Sequence, residues 1–345
     1  MGLCQKLFDI CDCDALVVLS TSNTYYLSGY QSSNCQIVIT KNKSYFITDL
    51  RYFNEASNLL KNDFEVLVGN YDTIKSLLVD CKRIGWDGEI SYFDYVKLQS
   101  TLNDKNLVEI SEKIQSLREI KQEYEIENIL KAQKITEVAF DEALKFLKEG
   151  VSEIEVAAFI EYIFLKNGAG LAFDSIVAFG INGSTPHAHR TNKKLEVGEF
   201  VTMDIGAKYN GYCSDMTRTV ALGRVSDKQI EVYNTVLEAQ KKAINNIRPG
   251  MSGKEADKIA RDYITEKGYG EYFTHSLGHA VGIDIHESFT FSPRNERKLA
   301  QNMIVTVEPG IYIDNLMGVR IEDMVICEEN KVRTLTKSNK NLIIL

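Results

Sequence analysis

Residues 200–219, Phe-Val-Thr-Met-Asp-Ile-Gly-Ala-Lys-Tyr-Asn-Gly-Tyr-Cys-Ser-Asp-Met-Thr-Arg-Thr, constrain the fold of this chain more than any other stretch. Val201, Met203 and Ile205 alternate with Thr202 and Asp204, the period-two pattern of a half-buried strand, so Asp204 should point away from the apolar face. Asn210-Gly211 is a two-residue hairpin signal, because both residues tolerate positive φ. A second strand carrying Asp215, Thr217 and Thr219 is therefore expected to return beside the first, which puts two carboxylates on paired strands. Taken alone, such a pair reads equally well as solvated surface or as part of a site. The rest of the chain decides between them.

A length of 345 residues allows two domains, and 44% hydrophobic with 26% charged residues is the composition of a soluble globular protein. The net charge of −8, with no run of Lys or Arg, excludes a nucleic-acid binder that works by neutralising phosphates. Carboxylates that ligate a metal would contribute to that negative balance, which suits a small-molecule or peptide substrate. Seven scattered cysteines, an odd number with no C-x-x-C spacing, favour reduced thiols over a disulfide framework. Asp9, Asp12 and Asp14 interrupt the N-terminal apolar residues, so no signal peptide is expected there. No apolar stretch approaches the roughly 20 residues that cross a bilayer. These features predict a cytoplasmic protein without membrane attachment.

Residues 1–112 alternate short apolar strands, at 15–19, 36–39, 45–48 and 64–68, with helical stretches at 52–60 and 73–80. This predicts a small α/β domain, and it contains no histidine. From about Ser111 the composition turns helical, with Ile126, Ile129, Leu130, Ala132 and Gln133 spaced for one face and Gly150 placed as a C-cap. Ser152 with Glu155 is a capping box that opens the next helix. Strand patterns at 175–179, 200–205, 214–221, 303–313 and 319–327, with helices at 227–247 and 253–267, predict an α+β domain over 113–345. No repeat is visible beyond an alternation of strand pairs and helix pairs.

All five histidines, His187, His189, His275, His279 and His286, lie in that second domain. Singly, each reads as an ordinary core or surface histidine; together, beside two aligned aspartates, they point to a site. In Ile-Val-Thr-Val-Glu-Pro-Gly, Glu308 shares a strand face with Ile304 and Thr306, and Pro309 ends regular pairing after it. In Gly-Val-Arg-Ile-Glu-Asp, Arg320 and Glu322 face opposite to Val319, Ile321 and Asp323. A carboxylate turned inward from an apolar strand needs a metal or a cationic partner, because an unpaired buried charge is costly. Asp204, Asp215, His279, Glu308 and Glu322 make an oxygen-rich set suited to two adjacent divalent ions, with Mn²⁺ or Co²⁺ favoured over a thiolate-loving metal. Two such ions lower the pKa of a shared water, which is hydrolytic chemistry.

These motifs, Met-Asp-Ile-Gly, Asp215-Met-Thr-Arg, Gly-His279-Ala-Val-Gly, Val-Glu308-Pro-Gly and Val-Arg320-Ile-Glu322-Asp, resemble in order and spacing the five-ligand pattern of the pita-bread metallopeptidases (family M24). That group comprises aminopeptidase P, prolidase and methionine aminopeptidase. The resemblance covers residues 115–345, and the N-terminal α/β domain is similar to that of the aminopeptidase P and prolidase branch. Arg320, two residues before the last glutamate, also points to that proline-specific branch. The resemblance implies that Asp215 and Glu322 bridge two metal ions, Asp204 completes one sphere, and His279 with Glu308 completes the other. It assigns His187 and His286 to the scissile carbonyl and the tetrahedral intermediate, and His275, His286 and Arg320 to the substrate side. Glu308 would also carry the proton to the leaving proline nitrogen. His189 has no counterpart and is expected to face solvent.

The expectation is an Xaa-Pro aminopeptidase acting on proline-containing peptides, with two divalent ions (manganese favoured, cobalt, zinc or iron accepted) and a homodimeric assembly. An Xaa-Pro dipeptidase (prolidase) is the alternative within the class. A non-catalytic peptide-binding relative and a metal-free creatinase-type hydrolase are alternatives outside it, and the complete ligand set counts against both. Ala280 after His279 and the run His187-Ala-His189-Arg depart from the usual pattern beside the site.

Overall fold

The computed structural model describes residues 2–345, which divide into two compact units, one ending at Arg118 and one beginning at Glu119. In the first unit a six-stranded sheet runs in the order Glu65–Val68, Ser44–Thr48, Cys35–Thr40, Ala15–Val18, Arg83–Trp86, Asn106–Glu109. Cys35–Thr40 is antiparallel to both neighbours and the remaining pairs are parallel. The Ala-Leu-Val-Val run of the central strand is buried at every position, as expected for a strand covered on both faces. Arg83–Trp86 and Asn106–Glu109 are absent from the sequence reading, because four-residue strands carrying Arg, Gly, Asn and Glu leave little apolar signal. The expected boundary at 112/113 falls inside helix Ser111–Glu119. Arg118 of that helix donates to Asn23 and pairs with Glu89, both in the first unit.

The second unit is built from two similar halves. Helices Glu123–Phe146 and Glu153–Lys166 accompany a sheet ordered Met216–Ala221, Phe200–Ile205, Ile176–Phe179. Helices Asp227–Asn246 and Gly253–Glu266 accompany a sheet ordered Glu287–Phe291, Gly278–Ala280, Ile304–Val307, Asp323–Cys327, Val332–Thr334. Both pairs turn on the same residues at one constant offset: Gly150 and Gly250 at positive φ, capping boxes Ser152/Glu155 and Ser252/Glu255, then Gly168 and Gly268 at positive φ. This internal repeat escapes a reading of apolar periodicity, because it resides in caps and turns. Gly150 is also not the C-cap expected of it: the helix stops at Phe146, and Gly150, at φ 85°, sits in the turn that follows.

Asn210 (φ 45°) and Gly211 (φ 76°) form the expected hairpin turn, with Tyr209 opposite Tyr212. The ladder is interrupted at Gly206 and at Ser214-Asp215 before Phe200–Ile205 pairs with Met216–Ala221. A Cβ at Gly206 would stand 2.2 Å from the Ser214 carbonyl, so only glycine allows this close crossing. The break lifts Asp215 out of the regular pleat and leaves it buried.

Candidate active site

Val201, Met203 and Ile205 are fully buried in the core of the first half, and Asp204 extends from the opposite face of their strand, across from Thr217. Glu322 lies in the break between Met317–Arg320 and Asp323–Cys327. Its main-chain N–H donates to the Thr217 carbonyl at 3.1 Å, and its carboxylate accepts from Thr217 Oγ1 at 2.7 Å. Glu308 follows strand Ile304–Val307, and Thr306 Oγ1 donates to its Oε1 at 3.0 Å while accepting from the His279 N–H at 3.0 Å. His279 sits on Gly278–Ala280, which runs so close to Ile304–Val307 that a Cβ on Gly278 would stand 2.0 Å from the Thr306 carbonyl.

The geometry of His279 settles its tautomer. Nδ1 faces the Ala280 carbonyl at 3.2 Å, so it carries the proton, and the Nε2 lone pair points to Asp215 at 3.5 Å and Glu308 at 3.4 Å. A lone pair aimed at two carboxylates calls for a proton or a cation between them. Burial pushes the Asp215 and Glu322 carboxyls well above the usual range, and their carboxylate neighbours push the same way. Burial raises Glu308 to about 8 despite Arg320, and burial with the nearby His286 lowers His279 to about 3. One oxygen of Asp204, Oδ1, is buried without a hydrogen-bond partner. Ligand atoms of Asp215, His279 and Glu322 all lie within 4.8 Å of one another. Two buried carboxylates, Asp215 and Glu322, two half-buried ones, Asp204 and Glu308, and one neutral imidazole fit divalent cations.

These five residues line one cavity of about 500 Å³ together with His187, His275, His286 and Arg320, and with apolar Phe173, Ile176, Pro186 and Ile285. His189 is exposed and lies outside the lining. The His286 ring packs edge-on against His279, with centroids 4.2 Å apart. Arg320 is buried and its guanidinium donates to Asp204 Oδ2 (2.7 Å), Tyr312 OH (2.7 Å), Thr217 Oγ1 (3.1 Å) and the Pro186 carbonyl (3.2 Å). It thereby joins a candidate ligand to the loop that carries His187. Both nitrogens of His275 are engaged: Nδ1 donates to the Ser276 carbonyl (2.8 Å), and Nε2 accepts from Tyr312 OH (2.9 Å). The sequence marks Thr217 and Thr306 only as strand residues beside the candidate ligands, and it does not single out Tyr312.

The model of metallopeptidase family M24 matches residues 127–329, which takes in all five candidate ligands, and the creatinase/prolidase N-terminal domain matches residues 3–120. The chain belongs to metallopeptidase family M24. It is a metallopeptidase whose pita-bread α+β domain follows a creatinase-type α/β domain. An Xaa-Pro dipeptidase of Pyrococcus furiosus is 40% identical over 98% of this chain and 97% of its own length. A solved Xaa-Pro dipeptidase from Bacillus anthracis superposes with a TM-score of 0.95 at 40% identity, covering 99% of both chains. An X-Pro aminopeptidase from Thermotoga maritima superposes with a TM-score of 0.92 at 37% identity, covering 98% of this chain and 99% of that one. Membership of this family implies divalent metal binding. Among the described residues no helix is long and apolar enough to cross a membrane.

Proposed function

We propose that this protein is an Xaa-Pro dipeptidase that holds two divalent ions on Asp204, Asp215, His279, Glu308 and Glu322. The observation that carries this reading is a neutral His279 set against Asp215 and Glu308, with Glu322 in the same cluster, in a chain of family M24. The dipeptidase relatives at 40% identity over almost the whole length support dipeptides over the longer peptides expected from the sequence. An aminopeptidase acting on longer Xaa-Pro peptides is the second reading, supported by the Thermotoga likeness.

Ions held by these five residues would supply Lewis acidity that brings the pKa of a bound water towards neutrality. The chain's own residues do the rest. Glu308, oriented by Thr306 Oγ1, accepts the proton of the attacking water and delivers it to the proline nitrogen. A proline imide has no N–H of its own, so its leaving nitrogen depends on that delivered proton. Burial, then His187, lowers the pKa of His286, so it is a neutral N–H donor at pH 7; with His187 it stabilises the developing oxyanion. His275, its nitrogens committed, contributes to the wall of the substrate pocket through Tyr312 and Arg320. Seven free cysteines support a reducing, cytoplasmic setting. The manganese preference and the homodimer belong to the same proposal.

Hydrolysis of an Xaa-Pro dipeptide and an Xaa-Pro-Yaa tripeptide, after chelation and again after addition of Mn²⁺ or Co²⁺, tests the reading. Metal-restored cleavage confined to the dipeptide is expected. Cleavage of the tripeptide turns the assignment to the aminopeptidase, and no cleavage of either overturns both.

A further inference from the structure

Arg218 is the largest fully buried side chain among the described residues, one residue past Thr217 on strand Met216–Ala221. A guanidinium out of water requires acceptors for its N–H groups, and Arg218 has five for its five donors. Nη1 donates to the Thr217 carbonyl (2.9 Å) and the Glu322 carbonyl (2.5 Å). Nη2 donates to Asp323 Oδ1 (2.7 Å) and the Ser338 carbonyl (2.9 Å), and Nε to the Asn339 carbonyl (3.1 Å). Two of these acceptors flank the seam where Thr217 meets Glu322, and two belong to the C-terminal segment.

That segment is tied down at several points along its length. Thr336 Oγ1 accepts from the Met324 N–H (3.1 Å), the Lys337 N–H donates to Glu137 (2.5 Å), and the Lys340 carbonyl accepts from Tyr233 OH (3.1 Å). Lys340 Nζ donates to Asp323 Oδ2 (2.5 Å) and to Gln240 (2.9 Å). Beyond it, the Ile343 carbonyl accepts from Ala221, and Leu345 donates back to Ala221, both at 2.9 Å. Glu137 lies in the first half of the unit, and Tyr233 and Gln240 lie in the second.

We propose that residues 336–345 are a strap that, through Arg218 and Asp323, holds Glu322 in the position where it ligates metal; Arg218 is a positioning residue, and the reading rests on the two-metal site proposed above. Asp323 has both oxygens on cations, Arg218 and Lys340, so it pins the backbone directly after Glu322 from one side. Arg218 holds the Glu322 carbonyl from the same network, and Thr217 holds the carboxylate. Groups behind a metal ligand set its orientation and hence the affinity of the site.

Co²⁺ titration of the full-length, metal-stripped protein, followed by visible absorption, tests this with Arg218→Lys and Lys340→Met. Lysine keeps the charge and loses two of the five donors, so some of the bonds to Thr217, Glu322 or the strap must break. Arg218→Lys is expected to weaken Co²⁺ binding about 10- to 100-fold and to alter the absorption band. Lys340→Met, which leaves Arg218 untouched and serves if the first variant does not fold, should weaken binding about 3- to 10-fold. Ser91→Ala, which removes the N-cap of helix Tyr92–Thr101 in the first unit, serves as the control and should lower Tm without changing Co²⁺ affinity. Affinities for both strap variants within about twofold of wild type, or an equal loss in the control, overturn the proposal. A wild-type protein that fails to take up two ions overturns the two-metal reading itself.

Discussion

The two halves of the catalytic unit follow one plan and diverge at single positions. Val201-Thr202-Met203-Asp204-Ile205-Gly206 in the first half matches Val305-Thr306-Val307-Glu308-Pro309-Gly310 in the second. Each strand buries its valine and Met203 or Val307, and each sends one carboxylate into the cavity. The helix caps match as well, Ser152 with Ser252. Their neighbours do not. Glu153 is a buried carboxylate that accepts from the Phe179 N–H, Asn182 Nδ2, the Thr191 N–H and Thr191 Oγ1, all at 2.6 to 2.9 Å. It clasps both ends of the loop that carries His187. The matching residue, Gly253, has no side chain, and a Cβ there would stand 2.1 Å from the Thr290 carbonyl. The strand that follows His286, Glu287–Phe291, packs directly on its backbone. The shared plan supplies two strands that aim carboxylates at one point, and the departures from it supply the histidines and the loops that present them.

The largest effects should come from the two buried carboxylates on which both halves converge. Asp215→Ala or Glu322→Ala is expected to cut turnover at least 10³-fold, roughly 4 kcal/mol of transition-state stabilisation, while removing a like charge from a buried cluster. The metal-stripped variants should therefore melt at or above the wild-type Tm, and near-normal turnover would break the two-metal reading.

Glu153 and Gly253 test the asymmetry. Glu153→Ala leaves buried donors unpaired at about 1–3 kcal/mol, and should lower kcat/KM through a misplaced His187. Gly253→Ala should destabilise by about 3 kcal/mol, because backbone stands in the way. Urea unfolding and steady-state kinetics separate the two: a Glu153→Ala enzyme with unaltered kcat/KM would show that the clasp does not serve catalysis.

His275, which occupies the position matched by Ser175, adds a pH dependence to the second half alone. Burial, then Arg320, lowers its pKa to about 4, against an ordinary value of 6.5. Between those values the unfolded chain binds the proton and the folded one does not. Stability from this group is thus complete above pH 6.5 and is lost as pH falls towards 4, by on the order of 3 kcal/mol. His275→Asn should flatten that part of the urea-midpoint profile.

The smallest effects belong to the matched caps. Ser152→Ala and Ser252→Ala should each cost about 1 kcal/mol, and unequal losses would show that the two helix pairs are not energetically equivalent.

Much of this site was legible before any coordinates. Alternation placed Asp204, Glu308 and Glu322 on strand faces, Asn210-Gly211 set the turn that returns Asp215 to Asp204, and the clustering of all five histidines in the same domain turned these carboxylates into candidates for a site. Capping boxes marked helix starts at Ser152, because the residues involved are three apart. The internal repeat was harder to see, since its identical residues are few and widely spaced. Tyr312, Glu153 and Arg218 left no comparable trace, because their partners lie far along the chain: Arg218 meets Ser338 and Asn339, and Glu153 meets Thr191.

Local chemistry, which depends on neighbours two to four residues apart, was thus determined by the sequence alone: strand faces, turns, caps and which side chains were candidate ligands. Only the tertiary structure decided which polar groups were buried together, the tautomer of His279, the engagement of His275 with Tyr312, and the strap behind Glu322. Those depend on desolvation and on hydrogen bonds between distant segments, and neither quantity exists until the chain has folded.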